Sequence, residues 1–384
     1  MNFAETSEQE LLRGTAREML SNGNSLGLAH VRALNDGAAH LGVSAGLDDV
    51  ALWSQMAELG WLGLPFPPEY GGAGGSFMDL AVLLEELGRA VAPPAYTGTV
   101  VVCGMTVLHH AREELRRRWL PSIAEGSSRL TLVADGGSAV RAHPDGGALR
   151  LDGGVKLVDE AQRSDAYLVA AVDTPEDQQP ATTLFMLERE TPGIRVSPQR
   201  TVAGGDRGDV ELDGVRVSAE EMVGERFEGA SILGETLERG AVASCLDMVG
   251  AGGAVLEMVT AYVAERVQFG RPVGSFQAVQ HHAADMAVDM DASRLITYEA
   301  AWRLGEGLDA SMEVAMAKAW TSQAYRRVTT LGHQLFGGIG LMREHDMHLY
   351  MRRGRRDALA FGDATGHLDR LAGILEERGT PWPE

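Results

Sequence analysis

The sequence predicts an α+β protein that is mainly helical, with its elements in the order helices, strands, helices. Apolar residues recur at helical spacing in the first third of the chain, and short β-type segments separated by Gly, Asp and Pro follow residue 127. Helical spacing returns near residue 230. These changes predict an N-terminal helical domain at 1–126, a middle β-domain at 127–228 and a C-terminal helical bundle at 229–384.

The first domain has apolar residues along one face of two segments, 8–20 and 48–59, as expected for amphipathic helices. A loop rich in Pro and Gly follows at 60–75. Further helices are expected at 77–90 and 113–120, the second ending at the proline that follows it, because proline cannot donate a helical hydrogen bond.

Five short segments of the middle domain are strand candidates, and they lie at residues 129–133, 154–158, 166–172, 182–187 and 209–212. Turn residues separate them at regular spacing. The pattern predicts a small β-barrel or sandwich of about 100 residues.

The last domain begins with a long apolar stripe between Val242 and Val263. From Val279 to Met290 the apolar residues recur at spacings of four, three and four, which predicts helices packed in a bundle. A third helix is expected at 311–331, before a glycine run at 334–340. The basic run at 352–356 could attract CoA phosphates, but it is expected in solvent or at a subunit contact.

Composition excludes several classes of partner. The 384 residues carry a net charge of -20, which argues against a nucleic-acid surface. The two cysteines give no metal or disulfide pattern, and the pair His281-His282 with Asp285 lacks a nearby third ligand, so no metal is expected. The first residues do not have the pattern of a signal peptide, and no long apolar run predicts a membrane span, so a cytoplasmic protein is expected.

Residues 264–280 predict a sharp joint between two long helices. Gly270 can adopt the left-handed conformation that ends a helix, and Pro272 prevents its continuation. Ser275 is expected as the N-cap of the next helix. Arg266 and the free N–H groups at that helix start could bind an anion, although a purely structural corner would use the same residues.

The chain resembles the acyl-CoA dehydrogenase family at four places: Glu-Arg-Val-Gln-Phe-Gly-Arg-Pro at 265–272, Gln-Leu-Phe-Gly-Gly-Ile-Gly at 334–340, Gly-Val-Arg-Val at 214–217 leading to Val-Gly at 223–224, and Leu-Gly-Leu-Pro at 62–65 with Glu-Tyr-Gly-Gly at 69–72. The resemblance covers nearly the whole chain in order. It implies a helical N-terminal domain, a middle β-domain, a C-terminal four-helix bundle, FAD and an assembly of four subunits.

The resemblance also implies which residues contact FAD around its pyrophosphate and adenosine: Arg266, Gln268, Phe269, Val273, Gln334, Gly337, Gly338 and Thr365. The first three would meet the cofactor of a neighbouring subunit. A cation beside a helix start suits the phosphates, and glycines allow the backbone to approach a ligand closely.

The implied reaction is α,β-dehydrogenation of an acyl-CoA, in which a carboxylate removes the α-proton and hydride passes from the β-carbon to flavin N5. Two carboxylates match the family's positions for this base. Glu238, immediately before Arg239, matches one, and Asp363, one methylene shorter than the usual Glu, matches the other. Each could instead be structural, because Glu favours a first helical turn and Asp near Gly favours turns.

The middle domain departs from the family at two motifs. Thr-Glu-Pro-Gly-Ala-Gly-Ser-Asp, which holds flavin and thioester, is reduced at 132–138 to its glycines and Ser138. Trp-Ile-Thr-Asn, which covers the isoalloxazine, is replaced by Leu-Val-Asp-Glu at 157–160, so the ring loses a flat neighbour. The ending resembles the small subunits of heteromeric bacterial acyl-CoA dehydrogenases, which handle dicarboxylic or steroid side-chain acyl-CoAs.

Three functions therefore remain open. The first is an FAD-dependent acyl-CoA dehydrogenase in a homo- or heterotetramer, with Arg239 and Ser138 contacting acyl-CoA and electron-transfer flavoprotein as electron acceptor. The second is a non-catalytic partner subunit that completes a neighbour's FAD site. The third is a flavin oxidase or monooxygenase of the same fold. Asp363 suggests this alternative, because an Asp base is familiar in nitroalkane oxidases.

Overall fold

A computed structural model describes residues 5–21, 50–135, 140–173 and 180–379. The described residues form two compact units, one of residues 5–21, 76–92 and 241–379, and one of residues 50–75, 93–135, 140–173 and 180–240. The predicted order of helices, strands and helices is confirmed. Where three domains would begin and end stays a prediction.

The helices of the described residues are α1 Ser7–Ser21, α2 Val50–Glu58, α3 Phe77–Arg89, α4 Met105–His110, α5 Glu113–Ala124, α6 Gly229–Glu265, α7 Gln277–Gly305, α8 Ser311–Phe336, α9 Met347–Asp357 and α10 Ala364–Glu377. A π-helix at Thr97–Gly104 runs directly into α4. Helix α5 continues through Pro121 to Ala124, so the predicted end at residue 120 is wrong: the proline lies in the last turn. Helix α8 extends five residues beyond the predicted end at 331.

Eight strands form one sheet in the second unit: β1 Leu130–Val133, β2 Val140–Asp145, β3 Ala148–Asp159, β4 Ala166–Asp173, β5 Ala181–Glu188, β6 Ile194–Pro198, β7 Arg207–Val217 and β8 Met222–Val223. Their order is β6-β7-β3-β2-β4-β5-β8, and β1 pairs in parallel with β4. Side chains from Val133 to Val217 form the sheet's hydrophobic core. Strands β2, β6 and β8 were not among the five predicted.

Glycines allow α3 and α6 to approach closely inside the first unit. A Cβ added to Gly88 would lie 2.1 Å from the carbonyl oxygen of Asp247. One added to Gly250 would lie 1.8 Å from the carbonyl oxygen of Glu85. Both distances are far below van der Waals contact, so the two backbones can meet only where no side chain separates them.

Helix α6 is long and apolar enough to cross a membrane by length and composition alone. However, 78% of its most apolar window is buried inside the protein, which is typical of a core helix.

A buried ionic network lies among the helices of the first unit. Arg353 of α9 donates from Nε to Asp247 at 3.1 Å and to Asp357 at 3.0 Å, and its Nη2 is bonded to Asp247 as well. Lys318 of α8 donates to the carbonyl oxygen of Asp357. Burial alone would raise the pKa of Asp357, but Arg356 and Arg353 hold that pKa below its ordinary value. The basic run is therefore partly internal, and the expectation that it lies in solvent or at a subunit contact is wrong for Arg353.

His367 of α10 gives a testable link between pH and stability. It is buried, its Nε2 lies 3.0 Å from the carbonyl oxygen of Phe361, and its Nδ1 has no partner among the described residues. Burial lowers the pKa of His367. The unfolded chain therefore takes up a proton more readily than the folded protein, and stability is lost as the pH falls below about 6.5.

We expect His367→Gln to make the free energy of unfolding less dependent on pH between about pH 7.5 and 5.5. Glutamine can still donate to Phe361 but does not titrate. Urea unfolding followed by circular dichroism measures the slope. His281→Gln, which changes an exposed histidine, serves as the control and should leave it unchanged. An unaltered slope in His367→Gln would contradict the assignment.

Candidate functional site

The joint between α6 and α7 is a small β-hairpin that projects from the first unit. Strand β9, Val267–Gln268, pairs antiparallel with β10, Arg271–Pro272. Phe269 and Gly270 form the turn, with φ of 54° and 80°. Two successive left-handed residues are typical of a type I′ hairpin turn. The left-handed conformation predicted for Gly270 is confirmed, but Gly270 turns this hairpin and does not end α6, which stops at Glu265. The hairpin leaves Phe269 92% exposed, as expected for a residue that binds something outside its own chain.

Ser275 does not cap the next helix. Residues Val273–Ser275 form a 3-10 turn, and α7 begins after Phe276, which provides no side-chain cap. The Ser275 hydroxyl instead donates to the carbonyl oxygen of Pro272 at 2.7 Å. The prediction of an N-cap at Ser275 is therefore wrong, because Ser275 ends the 3-10 turn and the cap position falls on Phe276, one residue onward.

Arg266 and Gln268 are exposed at this hairpin, and Val273 is partly buried at its base. The backbone N–H of Val273 donates to the carbonyl oxygen of Arg266 at 2.8 Å, which holds the two ends of the hairpin together. Arg271 stacks over the ring of Phe276 at 4.1 Å. A cation, an amide and an exposed aromatic ring therefore share one small projection.

The glycine run lies close to the joint within the first unit. The rings of Tyr262 in α6 and Phe336 in α8 are 5.0 Å apart. Gln334 is exposed one turn from the end of α8. Gly337 has φ of 65°, and added Cβ atoms on Gly337 and Gly338 would meet nothing within 4 Å. The space beside the backbone of these two glycines is therefore open.

These residues fit the phosphate and adenosine end of the FAD that the resemblance implies. A guanidinium can bind a pyrophosphate, amides can bond to phosphate or ribose, and an exposed ring can stack on a base. The open backbone of the glycine run lets a ligand approach without a side chain in the way. The groups of the hairpin and of the glycine run that could contact FAD all lie within the first unit.

Asp363 and Thr365 are both exposed at the start of α10. Asp363 is the N-cap of that helix, and its Oδ1 accepts the backbone N–H of Gly366 at 2.8 Å. This is the structural role considered for Asp363 in the sequence.

Glu238 and Arg239 lie in the second unit, near the start of α6, and are only 9% and 7% exposed. Arg239 donates from Nη2 to the hydroxyl of Thr106 at 3.2 Å and lies 3.7 Å from Glu235. Burial lowers the pKa of Arg239, while Glu235 and Glu238 oppose that effect. A buried carboxylate beside a buried cation is an arrangement in which a base can be kept away from water.

Four residues around Arg239 were missed by the sequence interpretation. Thr106 of α4 lies 2.7 Å from the hydroxyl of Thr236, and His110 of α4 lies 2.9 Å from Glu235. No sequence signal connects α4 with the start of α6, because the two are more than a hundred residues apart. Only the fold brings this cluster together.

The second middle-domain motif that departs from the family, Leu-Val-Asp-Glu at 157–160, lies at the end of β3. Leu157 is left-handed, with φ of 57°, and 48% exposed. Asp159 forms an ion pair with Arg207 of β7, in which Oδ1 of Asp159 lies 2.7 Å from Nε of Arg207. These side chains provide an aliphatic group and an ion pair where the resemblance expects an aromatic cover. Ser138 lies outside the described residues.

Comparison with known proteins agrees with this arrangement of elements. The sequence model for the acyl-CoA dehydrogenase N-terminal domain matches residues 6–127, and the one for the acyl-CoA dehydrogenase C-terminal domain matches residues 228–375. The acyl-CoA dehydrogenase FadE27 of Mycobacterium tuberculosis is 31% identical over 340 residues, which cover 86% of this chain and 89% of that protein.

Two solved structures are similar over almost their whole length. A chain of the ChsE4–ChsE5 complex from Mycobacterium tuberculosis is 28% identical, with a TM-score of 0.88 over 100% of both chains. A chain of the steroid ACAD Tcur3481–Tcur3483 is 29% identical, with a TM-score of 0.85 over 97% of this chain and 99% of that one. The predicted family and fold are thereby confirmed: the chain belongs to the acyl-CoA dehydrogenase family of FAD flavoproteins, oxidoreductases that act on acyl-CoA.

Proposed function

We propose that the chain is an FAD-dependent acyl-CoA dehydrogenase in which Glu238 is the base that removes the α-proton. The burial of Glu238 beside Arg239 carries this proposal. Asp363, in contrast, is exposed and accepts a backbone N–H as a helix cap, which leaves it without a dry environment. A base for an α-proton next to a thioester works best where water is excluded.

In the proposed reaction Glu238 accepts the α-proton of the acyl thioester and holds it on its carboxyl group. FAD, when bound, supplies the acceptor for the hydride that leaves the β-carbon. Arg239 places a buried positive charge next to Glu238 on the same helix. Arg239 and Ser138 are proposed to contact the acyl-CoA.

The residues that would hold FAD at its phosphate and adenosine end are those that the hairpin, the glycine run and α10 present: Arg266, Gln268, Phe269, Val273, Gln334, Gly337, Gly338 and Thr365. All of these residues except the partly buried Val273 are exposed, which supports contact with a cofactor that another subunit shares. The proposed three-domain division at 1–126, 127–228 and 229–384 follows the family's arrangement.

The assembly is proposed to be a tetramer with a related second chain. Both similar solved structures are named after two different chains, ChsE4 with ChsE5 and Tcur3481 with Tcur3483. The second of them is called a steroid ACAD. We therefore propose a heterotetramer acting on a steroid side-chain acyl-CoA, with electron-transfer flavoprotein as electron acceptor, in the cytoplasm. A dicarboxylic acyl-CoA is the other substrate class that the resemblance supports.

Anaerobic titration of the purified protein with steroid side-chain, dicarboxylic and straight-chain acyl-CoAs tests this function. We expect the yellow FAD absorbance to bleach with one of these classes. The chain should be titrated alone and after co-expression with a related chain. Bleaching only in the co-expressed protein would support the heteromer.

The altered end of β3 is the observation that favours a second candidate, a non-catalytic partner subunit. Leu157 and the Asp159–Arg207 ion pair replace an aromatic cover there. In that case the co-expressed protein would bleach equally well after Glu238→Gln in this chain. Oxygen consumption in the absence of acyl-CoA would instead indicate the flavin oxidase or monooxygenase alternative.

A further inference from the structure

Arg239 is a buried cation whose hydrogen bonds are incomplete. Its side chain is held by the hydroxyl of Thr106, to which Nη2 donates at 3.2 Å. The Nε atom of Arg239 is buried as well, and it has no hydrogen-bond partner among the described residues. A buried donor without an acceptor is costly. The guanidinium therefore has one N–H group that an oxygen atom of a bound ligand could accept.

The neighbouring carboxylate holds this guanidinium only weakly. Oε2 of Glu235 lies 3.7 Å from Nη1 of Arg239, and the same oxygen lies 2.9 Å from Nε2 of His110. The side chain of Glu235 is about half exposed, so water competes with its ion pair. Thr106, in contrast, is completely buried. The hydroxyl of Thr106 is therefore the contact that fixes the direction of the guanidinium.

A second buried hydroxyl supports Thr106. The hydroxyl oxygens of Thr106 and Thr236 lie 2.7 Å apart. The first is also 2.6 Å from the carbonyl oxygen of Val102, and the second is 2.7 Å from that of Ile232. Each hydroxyl has one proton and two lone pairs, so two protons serve these three contacts. Whichever way the two hydroxyls donate, Thr106 keeps a lone pair for Arg239.

The position of Arg239 in the chain indicates which part of a ligand lies near it. Arg239 directly follows Glu238 in α6, and the Cα atoms of neighbouring residues are about 3.8 Å apart. In the proposed reaction Glu238 acts at the α-carbon, next to the thioester. The acyl thioester half of acyl-CoA is therefore expected near Arg239, with its oxygen atoms as acceptors.

We propose that Thr106, supported by Thr236, is a positioning residue that orients Arg239 so that its Nε–H group binds an oxygen of the acyl thioester half of the ligand. The two hydroxyls act through Arg239 and need not touch the ligand. This inference rests on the proposed function, in which Arg239 contacts acyl-CoA. Without the Thr106 hydroxyl the guanidinium takes several directions, and affinity falls with the fraction that is correctly oriented.

Thr106→Val keeps the shape of the side chain and removes its hydroxyl. We expect it to raise the dissociation constant of the enoyl-CoA product about tenfold, as for the loss of one hydrogen bond to a charged group. Thr106→Ser, which restores the hydroxyl, should stay within about twofold of the unaltered protein. Thr236→Val should have a smaller effect than Thr106→Val, because Thr106 can then donate to Val102 and still accept from Arg239.

Isothermal titration calorimetry of the FAD-loaded protein measures these constants, with the related chain present if binding requires it. The probe is the enoyl-CoA product of the acyl-CoA class that bleaches the flavin. Thr329→Val is the matched control, because Thr329 is buried in α8 and its hydroxyl donates to the carbonyl oxygen of Tyr325 at 3.0 Å. It should leave the affinity unchanged. An equal loss in Thr329→Val and Thr106→Val would overturn the proposal.

Free CoA separates the two halves of the ligand. It lacks the acyl thioester, so Thr106→Val should not change its dissociation constant. Equal weakening of free CoA and enoyl-CoA would mean that Arg239 does not bind the acyl thioester half, and so would an unchanged affinity for enoyl-CoA.

A double-mutant cycle shows whether Thr106 acts through Arg239. In an Arg239→Met background, Thr106→Val should weaken enoyl-CoA binding no further. A second loss of about tenfold there would mean that Thr106 acts independently of Arg239, which contradicts the proposal. Thermal unfolding shows which variants are folded. If Arg239→Met does not fold, the rescue by Thr106→Ser and the comparison with free CoA still decide.

The inference and the proposed function can fail separately. If no acyl-CoA bleaches the flavin, the proposed activity is wrong, and the unreacted acyl-CoA then replaces the product as the probe. If the unaltered protein binds no acyl-CoA at all, the inference is wrong as well. Turnover that survives Glu238→Gln would exclude the proposed base, but it would not remove a measured loss of affinity in Thr106→Val.

Discussion

Glu238→Gln is expected to lower kcat/KM for acyl-CoA by about 10³-fold while the protein keeps its FAD. The amide has nearly the same shape as the carboxylate but cannot accept the α-proton. FAD should stay bound because the hairpin and glycine-run residues proposed to hold it are unchanged. Steady-state turnover with an artificial electron acceptor, together with the ratio of flavin to protein absorbance, measures both parts of this prediction.

Asp363→Asn is the matched control for that experiment. It removes one carboxylate charge in the same way, and Asn caps a helix about as well as Asp, so α10 should remain intact. We expect turnover within a few-fold of the unaltered protein. If Asp363→Asn instead loses activity and Glu238→Gln keeps it, the base is Asp363 and its capping bond must break during the reaction.

The order of elements could be predicted because periodicity is a local signal. Helical spacing in 8–20 and the short apolar segments of the sheet depend on which face of each element is buried, and that face is visible in the sequence. Gly270 could be predicted for a related reason, since few residue types adopt left-handed backbone without strain.

Strands β2 and β6 were missed because their local pattern is weak, and β8 because it has only two residues. Strand β2 contains Pro144, which cannot donate to a neighbouring strand, and β6 lies at the edge of the sheet with most side chains at least partly exposed. Ser275 was predicted as a cap because serine is common there, but it is the last residue of a 3-10 turn, and Phe276 takes the cap position of α7. Neither outcome follows from residue type alone.

The candidate site shows the same division between local and long-range information. Glu238 and Arg239 could be picked out together because they are adjacent in sequence. Thr106 and His110 could not, because their contacts depend on how α4 packs beside α6. Glu235 lies four residues before Arg239, a spacing that does place two side chains on one face of a helix, but the sequence interpretation did not use it. Pairing between distant segments is decided by the whole fold, and a single sequence holds no separate signal for it.

Arg353 is buried although the sequence around it is strongly basic. Replacing it is expected to give the second large effect, a loss of stability. Four arginines within five residues suggest a solvated surface, yet Arg353 is 8% exposed and paired with Asp247 and Asp357. We expect Arg353→Met to lower the free energy of unfolding by about 3–5 kcal/mol, because it leaves two buried carboxylates without their shared cation. Urea unfolding followed by circular dichroism measures the loss.

Arg355→Met provides the control within the same run, because Arg355 is exposed and its loss should change stability by less than about 0.5 kcal/mol. Adding Asp247→Asn to Arg353→Met should recover part of the loss, since the double variant no longer buries an unpaired Asp247 charge. A loss in Arg353→Met no greater than that in Arg355→Met would mean that water reaches the carboxylates. A double variant less stable than the sum of its single changes would mean that Asp247 contributes through packing rather than charge.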